Sequence, residues 1–328
     1  MVKDRCVVLC MLGWLAGCAM PAEPEASSAA VLAGRPESVP GSFVPTPSGW
    51  FHPSCVITVA PDEHVERGGT LRRADGGVRA PTPCQYPHFT RTGVIAGPAA
   101  SAAVVAQGCA GECWVAEAHM ITTQLIAFLH VNWTVPPHPA VDTGQVLYYF
   151  PGLQSDAATV AEGVVLQPVL RWAAGAWSIA NWNCCANGNA MTTEPLKVEP
   201  GAKLRGDVFG SNCAGTTCGH WQLFIANTDD YAVSATLETD VGGRALPAVY
   251  PGVLEAFYLT TCAEYPPTPV TFQPITVMTY TNGWVPLNPP ATWIPKVYPY
   301  QYTEPAHCRA SVSVASSNSV TISVGTVP

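Results

Sequence analysis

The chain is short of charge. Of its 328 residues only 12% are Asp, Glu, Lys or Arg, against roughly 25% in an average soluble protein. What charge there is runs negative, −8 at neutral pH. Loss of an N-terminal leader carrying Lys3, Asp4 and Arg5, which sum to +1, would take the chain to −9 (−8 − 1). No basic stripe is present to neutralise phosphates, which excludes nucleic-acid binding. The chain also lacks a Gly-x-Ser-x-Gly elbow, a His-Glu-x-x-His zinc helix and a phosphate-binding loop. Beyond the N-terminus no run approaches the roughly 20 apolar residues that a membrane-crossing helix needs. Helix signals are scarce, the one candidate being residues 99–107.

What is present begins with an export signal. Lys3 and Arg5 precede a brief apolar run over residues 6–14, and Leu15-Ala16-Gly17-Cys18 follows. The run is too short to span a bilayer and suits a signal peptide. Leu-Ala-Gly-Cys resembles the bacterial lipobox, which implies cleavage before Cys18 and a lipid on it as the membrane anchor. Ala19 in place of Asp implies sorting to the outer membrane or cell surface. The expected organisation is a signal peptide over 1–17, the lipidated cysteine with a flexible Pro/Ala/Ser/Glu-rich tether over 18–49, a small disulfide-containing segment over 50–110, and a main domain over 111–328.

Cysteine usage fits an exported chain. Of 13 cysteines, Cys6 and Cys10 leave with the signal and Cys18 takes the lipid. Ten remain (13 − 3), an even number that reads as disulfides. Cys109 with Cys113 and Cys213 with Cys218 suit local bridges, and Cys55 with Cys84 and Cys262 with Cys308 suit longer ones. The adjacent Cys184 and Cys185 are not expected to bridge to each other. Scattered histidines and cysteine spacings unlike any zinc pattern argue against a metal, and no cofactor is expected.

The main domain reads as β throughout. Short apolar segments at 129–135, 145–150, 164–170, 177–182, 196–198, 204–209, 220–227, 233–238, 253–260, 270–272 and 276–280 are separated by Gly, Pro, Asn and Asp clusters. Residues 311–324 alternate Val/Ile with Ser/Thr around Ser316-Ser317-Asn318, a hairpin with one polar face. Many short strands and almost no helix predict an all-β sandwich.

Two polar residues interrupt apolar strands: Gln167 in Val164-Val165-Leu166-Gln167-Pro168-Val169 and Glu255 in Val253-Leu254-Glu255-Ala256-Phe257. Buried without partners, such groups cost roughly 2–7 kcal/mol or more, so each either has a structural partner or faces a cleft. The order of segments around them is Asn132-Trp133-Thr134-Val135-Pro136-Pro137, Phe150-Pro151-Gly152-Leu153, Val165-Leu166-Gln167, the aromatic strand at 177–182, Val198-Glu199-Pro200-Gly201, Leu254-Glu255-Ala256-Phe257 and Pro269-Val270-Thr271-Phe272. This resembles the glutamic peptidases of the eqolisin type, over residues 125–325. The resemblance implies a concanavalin A-like sandwich of two curved antiparallel sheets and a catalytic dyad of Gln167 and Glu255. It also implies a propeptide role for residues 50–90. The chain departs from the family at Gln154, where the family has Asp, and at residues 180–183, where the family's Glu is missing.

An acid and an amide suffice for peptide hydrolysis. Glu255 would act as general base and then acid, and Gln167 would position water and stabilise the oxyanion. The expected protein is then a surface-anchored acid endopeptidase, a monomer acting on polypeptides, with Trp133, Phe150, Gln154 and Trp182 lining the substrate groove. This expectation requires Gln167 and Glu255 to project from adjacent strands into one open cleft, about one water apart. The alternative is a non-catalytic concanavalin A-like lipoprotein that binds glycans or proteins. Glu117 is a second carboxylate in an apolar setting, and His220 reads as a strand-surface residue.

Overall fold

The computed structural model describes residues 35–96, 114–155, 164–298 and 308–325. The signal peptide, Cys18, the helix candidate at 99–107 and the Cys109–Cys113 pair lie outside the described residues. The N-terminal segment forms eight short strands: β1 (Val44–Thr46), β2 (Gly49–Phe51), β3 (Val56–Val59), β4 (Glu63–Val65), β5 (Leu71–Arg73), β6 (Val78–Arg79), β7 (His88–Phe89) and β8 (Ile95–Ala96). The main domain continues with β9 (Ala116–Ile121), β10 (Ile126–Thr134), β11 (Val146–Gln154), β12 (Val165–Ala173), β13 (Ala176–Ala186), β14 (Asn189–Thr193), β15 (Leu196–Val198), β16 (Lys203–Ala214), β17 (Thr217–Asn227) and β18 (Asp230–Thr239). It ends with β19 (Ala248–Phe257), β20 (Val270–Phe272), β21 (Ile275–Tyr280), β22 (Trp284–Pro286), β23 (Ile294–Val297), β24 (Arg309–Ser316) and β25 (Ser319–Gly325). Helix among the described residues is limited to two 3-10 turns, Pro53–Cys55 and Cys262–Glu264. The all-β expectation is met.

Two nine-stranded sheets make the sandwich. The front sheet runs β23-β9-β19-β11-β12-β13-β14-β3, with β15 paired to β13, and the back sheet runs β22-β21-β10-β16-β17-β18-β4-β5-β6. Pairing is antiparallel except where β3 joins β14 and β4 joins β18. Between the sheets lies one apolar core that includes Leu166, Leu170, Trp172 and Ile179 from the front and Leu129, Val131, Leu223 and Leu237 from the back. Back-sheet strands alternate buried and half-exposed positions, as β10 and β17 do, because their outer face meets water. In the front sheet every residue of β11 and of β19 is buried. That accounts for their near-continuous apolar sequence.

The second buried face of the front sheet is covered by the N-terminal segment. Strands β1-β2-β7-β8 form a small sheet, and Phe43, Trp50, Phe51 and Phe89 join Tyr148, Phe150, Val169, Tyr250, Val253 and Phe257 in a separate apolar cluster. Burying each such aromatic stabilises the fold by roughly 1.5–3 kcal/mol. Within the stretch expected as tether, Val39 and Phe43 are buried, and the 50–110 segment contributes β3 and β4–β6 to the two large sheets. Disulfides join Cys55–Cys84, Cys213–Cys218 and Cys262–Cys308 as the spacing suggested. Cys184 and Cys185 are bonded to each other across a cis peptide bond, with Cα atoms 3.0 Å apart, which corrects the expectation that they would not pair.

Within the cover, His88 stacks on Phe51 with ring centroids 4.8 Å apart. Burial pushes its pKa from 6.5 down to about 4. A histidine buried neutral contributes stability that is fully present above pH 6.5 and is lost as the pH falls through about 4. Thermal unfolding followed from pH 7 to pH 3.5 is expected to show that loss, amounting to about 3 kcal/mol for a shift of this size. His88→Phe should flatten this part of the profile.

Candidate functional site

Alternation along β12 sends Leu166, Leu170 and Trp172 into the sandwich core and Gln167, Val169 and Arg171 toward the cover. Along β19, Leu254 and Ala256 point inward while Val253, Glu255 and Phe257 point outward. Gln167 and Glu255 therefore share the covered face, and both have no exposed surface. The hairpin β1–β2 lies over them. The Gln167 amide Nε2 donates to the carbonyl of Pro47 at 3.2 Å, and the Tyr148 hydroxyl donates to that of Pro45 at 2.9 Å. Trp50 sets its ring edge-on to Phe257 and Tyr258 at 5.0 and 5.1 Å. Its indole N–H donates to the carbonyl of Arg91, and Arg91 Nε in turn donates to that of Ala256. Gly49 lets the hairpin seat this closely: its φ is +102°, and a Cβ there would stand 2.2 Å from the Phe89 carbonyl oxygen.

The sheet register keeps Gln167 and Glu255 apart. Glu255 pairs with Tyr148 of β11, and Tyr148 pairs with Arg171 of β12. Gln167 stands opposite Gly152, because Leu166 pairs with Leu153 and Leu170 with Tyr149. A Cβ on Gly152 would lie 3.4 Å from Gln167 Cγ, and Gly152 pairs onward with Tyr250. Glu255 thus belongs to the row of Arg171, four positions from Gln167 (171 − 167), with β11 in between. At ordinary strand geometry this is about 13 Å along the strands and about 10 Å across them. The two strands are not adjacent, the cleft is closed, and one water does not bridge the pair.

Each residue instead has its own setting. Burial pushes the Tyr148 phenol well above its ordinary value; the Arg171 guanidinium opposes the rise and the Glu255 carboxylate adds to it. Glu255 thus shares a row with the buried Tyr148 phenol and the half-buried Arg171. Gln167 holds the hairpin turn, its Oε1 without a partner among the described residues, as are Gln154 Oε1 and Arg171 Nε. Glu117 pairs with Val253 and so stands diagonal to Glu255, a Cα spacing of about 7–8 Å. It is buried, accepts a 2.5 Å hydrogen bond from the Tyr298 hydroxyl and lies 3.4 Å from His119 Nδ1.

Of the expected groove residues, Phe150, Gln154 and Trp182 do lie on the covered face. Phe150 is sealed against Trp114, Gln154 is 5% exposed, and Trp182 is paired in register with Gln167. Trp133 is a correction. It sits on β10 of the back sheet, in the sandwich core, with its ring against Gly206 and Phe272, so it lines no groove with Gln167. His220 lies on the back sheet's outer face, 3.7 Å from Glu238. No group of His, Cys, Asp or Glu among the described residues is arranged to hold a metal. Sequence reasoning passed over Arg171 and Trp50. Arg171, a charge within an apolar strand, was the signal that could have pointed to Tyr148 and Glu255.

No protein-family model and no curated protein matches the chain. Solved structures with a similar fold include scytalido-glutamic peptidase with a transition-state analogue inhibitor (11% identity, TM-score 0.46) and the same enzyme with a peptide-based analogue (14%, 0.46). A third is SCP-B, a member of the eqolisin family, with the tripeptide Ala-Ile-His (14%, 0.43). Each match covers 66% of this chain and all of the other.

The cover is expected to depend on its few anchors. Tyr148→Phe and Gln167→Ala each remove one hydrogen bond to the hairpin and should cost about 1 kcal/mol. Both should speed hydrogen exchange at Trp50 and Phe51 more than in the sandwich core. Trp50→Ala should cost about 3–5 kcal/mol.

Proposed function

We propose that this protein is an exported, non-catalytic β-sandwich that works as a binding module, not an acid endopeptidase. The observation that carries the reading is the register that separates Gln167 from Glu255 by four positions along the strands. A general base and an oxyanion donor act on the same reacting atoms and need hydrogen-bond reach of them. Closure of the face by the chain's own hairpin supports the same conclusion, since both side chains have no exposed surface. Gln167 then serves to anchor the N-terminal segment through the Pro47 carbonyl, and Glu255 stands in register with Tyr148 and Arg171.

The decisive measurement is digestion of an unfolded protein at about pH 3–5, within the range where a raised carboxyl pKa would act. Wild type, Glu255→Gln and Gln167→Ala are expected to give equal, negligible cleavage. Robust cleavage by wild type that either substitution abolishes would restore the endopeptidase. We also propose that the lipid anchor on Cys18 holds the module at the cell surface. Cys18→Ser should move the protein from the membrane fraction to the soluble fraction, and unchanged membrane retention would exclude the anchor.

A further inference from the structure

Away from the covered face, the outer side of the back sheet meets water and carries charges that are matched. His130, Asp207 and Arg205 are linked at 2.6 Å and 2.7 Å, and His220 stands 3.7 Å from Glu238. Toward the β22 edge the same side turns apolar. Phe128 of β10 is flanked in register by Phe209 of β16 and Met278 of β21, and Tyr280 of β21 pairs with Trp284 of β22. The rings pack on one another. Phe209 lies nearly parallel to Trp284 at 4.6 Å, Phe128 meets both edge-on, and Tyr280 meets Trp284 edge-on at 5.8 Å.

That packing leaves part of the cluster in water. Phe209 is 37% exposed and Val285, next to Trp284, is 41% exposed. Phe128, Met278, Tyr280 and Trp284 are half-buried. In register these residues meet one another, Gln222, Pro286 and Thr279, so no charge interrupts the patch. The water side of an antiparallel sheet is ordinarily polar, and a contiguous apolar patch there marks an interaction surface.

The length of chain ahead of the described residues points to the partner. Cys18, the proposed lipid carrier, precedes Arg35, the first described residue, by 17 positions (35 − 18). Even fully extended, that stretch reaches at most about 60 Å. A short linker presents the second surface at an effective concentration on the order of millimolar, so a weak affinity suffices to dock the domain on the bilayer. The residue types suit that boundary. Trp and Tyr place an apolar ring toward the acyl chains and a polar tip among the headgroups. The acidic balance of the chain, −8, opposes attraction to anionic lipid, so apolar insertion at a zwitterionic surface has to supply the affinity.

We propose that the patch around Phe128, Phe209 and Trp284 is a membrane-docking face that lays the back sheet on the bilayer to which Cys18 tethers the chain. It rests on the lipid-anchor reading and adds a second contact to it. The test is flotation of the mature Cys18→Ser chain, which carries no lipid, with phosphatidylcholine–phosphatidylethanolamine vesicles. Partition at millimolar lipid is expected. Phe209→Gln together with Val285→Gln, which removes two exposed apolar groups, should weaken it by about tenfold. Ile121→Gln is the control, because Ile121 is 73% exposed but belongs to β9 of the front sheet; it should leave partition unchanged. No partition at millimolar lipid, or equal partition by the double variant, overturns the proposal. Sedimentation that shows self-association abolished by the same double variant would assign the face to a second copy and overturn it as well. The anchor is judged separately, by the mass of the wild-type mature N-terminus. Absence of lipid there defeats the anchor while a measured vesicle affinity stands, and lipid without vesicle affinity defeats the docking face alone.

Discussion

The front sheet is apolar on both faces, and the rest of the molecule follows from that. A sheet in a two-layer sandwich needs to bury one face; here β11 and β19 bury both. The second face would otherwise present Tyr148, Phe150, Val169, Tyr250 and Phe257 to water, a patch far larger than soluble proteins leave open. The N-terminal segment closes it with Phe43, Trp50, Phe51 and Phe89. Because β3 and β4 also extend the two sheets, cover and sandwich form one cooperative structure.

Closing that face constrains its chemistry. The register places Glu255, Tyr148 and Arg171 in one row across three strands. Gln167 spends its amide N–H on the Pro47 carbonyl of the covering hairpin. The back sheet, with its outer face in water, carries polar and aromatic groups such as His130, Asp207 and Phe209 there.

Much of the fold was legible in the sequence. The segments at 129–135 and 164–170 lie within β10 and β12 except for one terminal residue each, those at 204–209 and 220–227 lie within β16 and β17, and the 311–324 alternation falls within the β24–β25 hairpin. Strand cores are readable because apolar runs and turn residues are local signals. Strand β14, Asn-Ala-Met-Thr-Thr, escaped notice: its five residues are all buried, yet its composition is half polar and only its neighbours β13 and β3 make it a strand. Trp133 was assigned to a groove because it sits near other aromatic segments in sequence order. Its alternation within β10, with Val131 and Leu129 on the same side, places it in the core of the opposite sheet.

The sequence alone determined the secondary-structure class and the presence of two polar residues within apolar strands, and its cysteine spacing suggested the bridges 55–84, 213–218 and 262–308. These are properties of composition, period and spacing, and they are written locally. Tertiary structure decided which residues meet. A strand's period of two tells which face a side chain takes, but how far one strand slides along its neighbours depends on pairings across the whole sheet. Gln167 and Glu255 share a face by the first rule and are kept apart by the second.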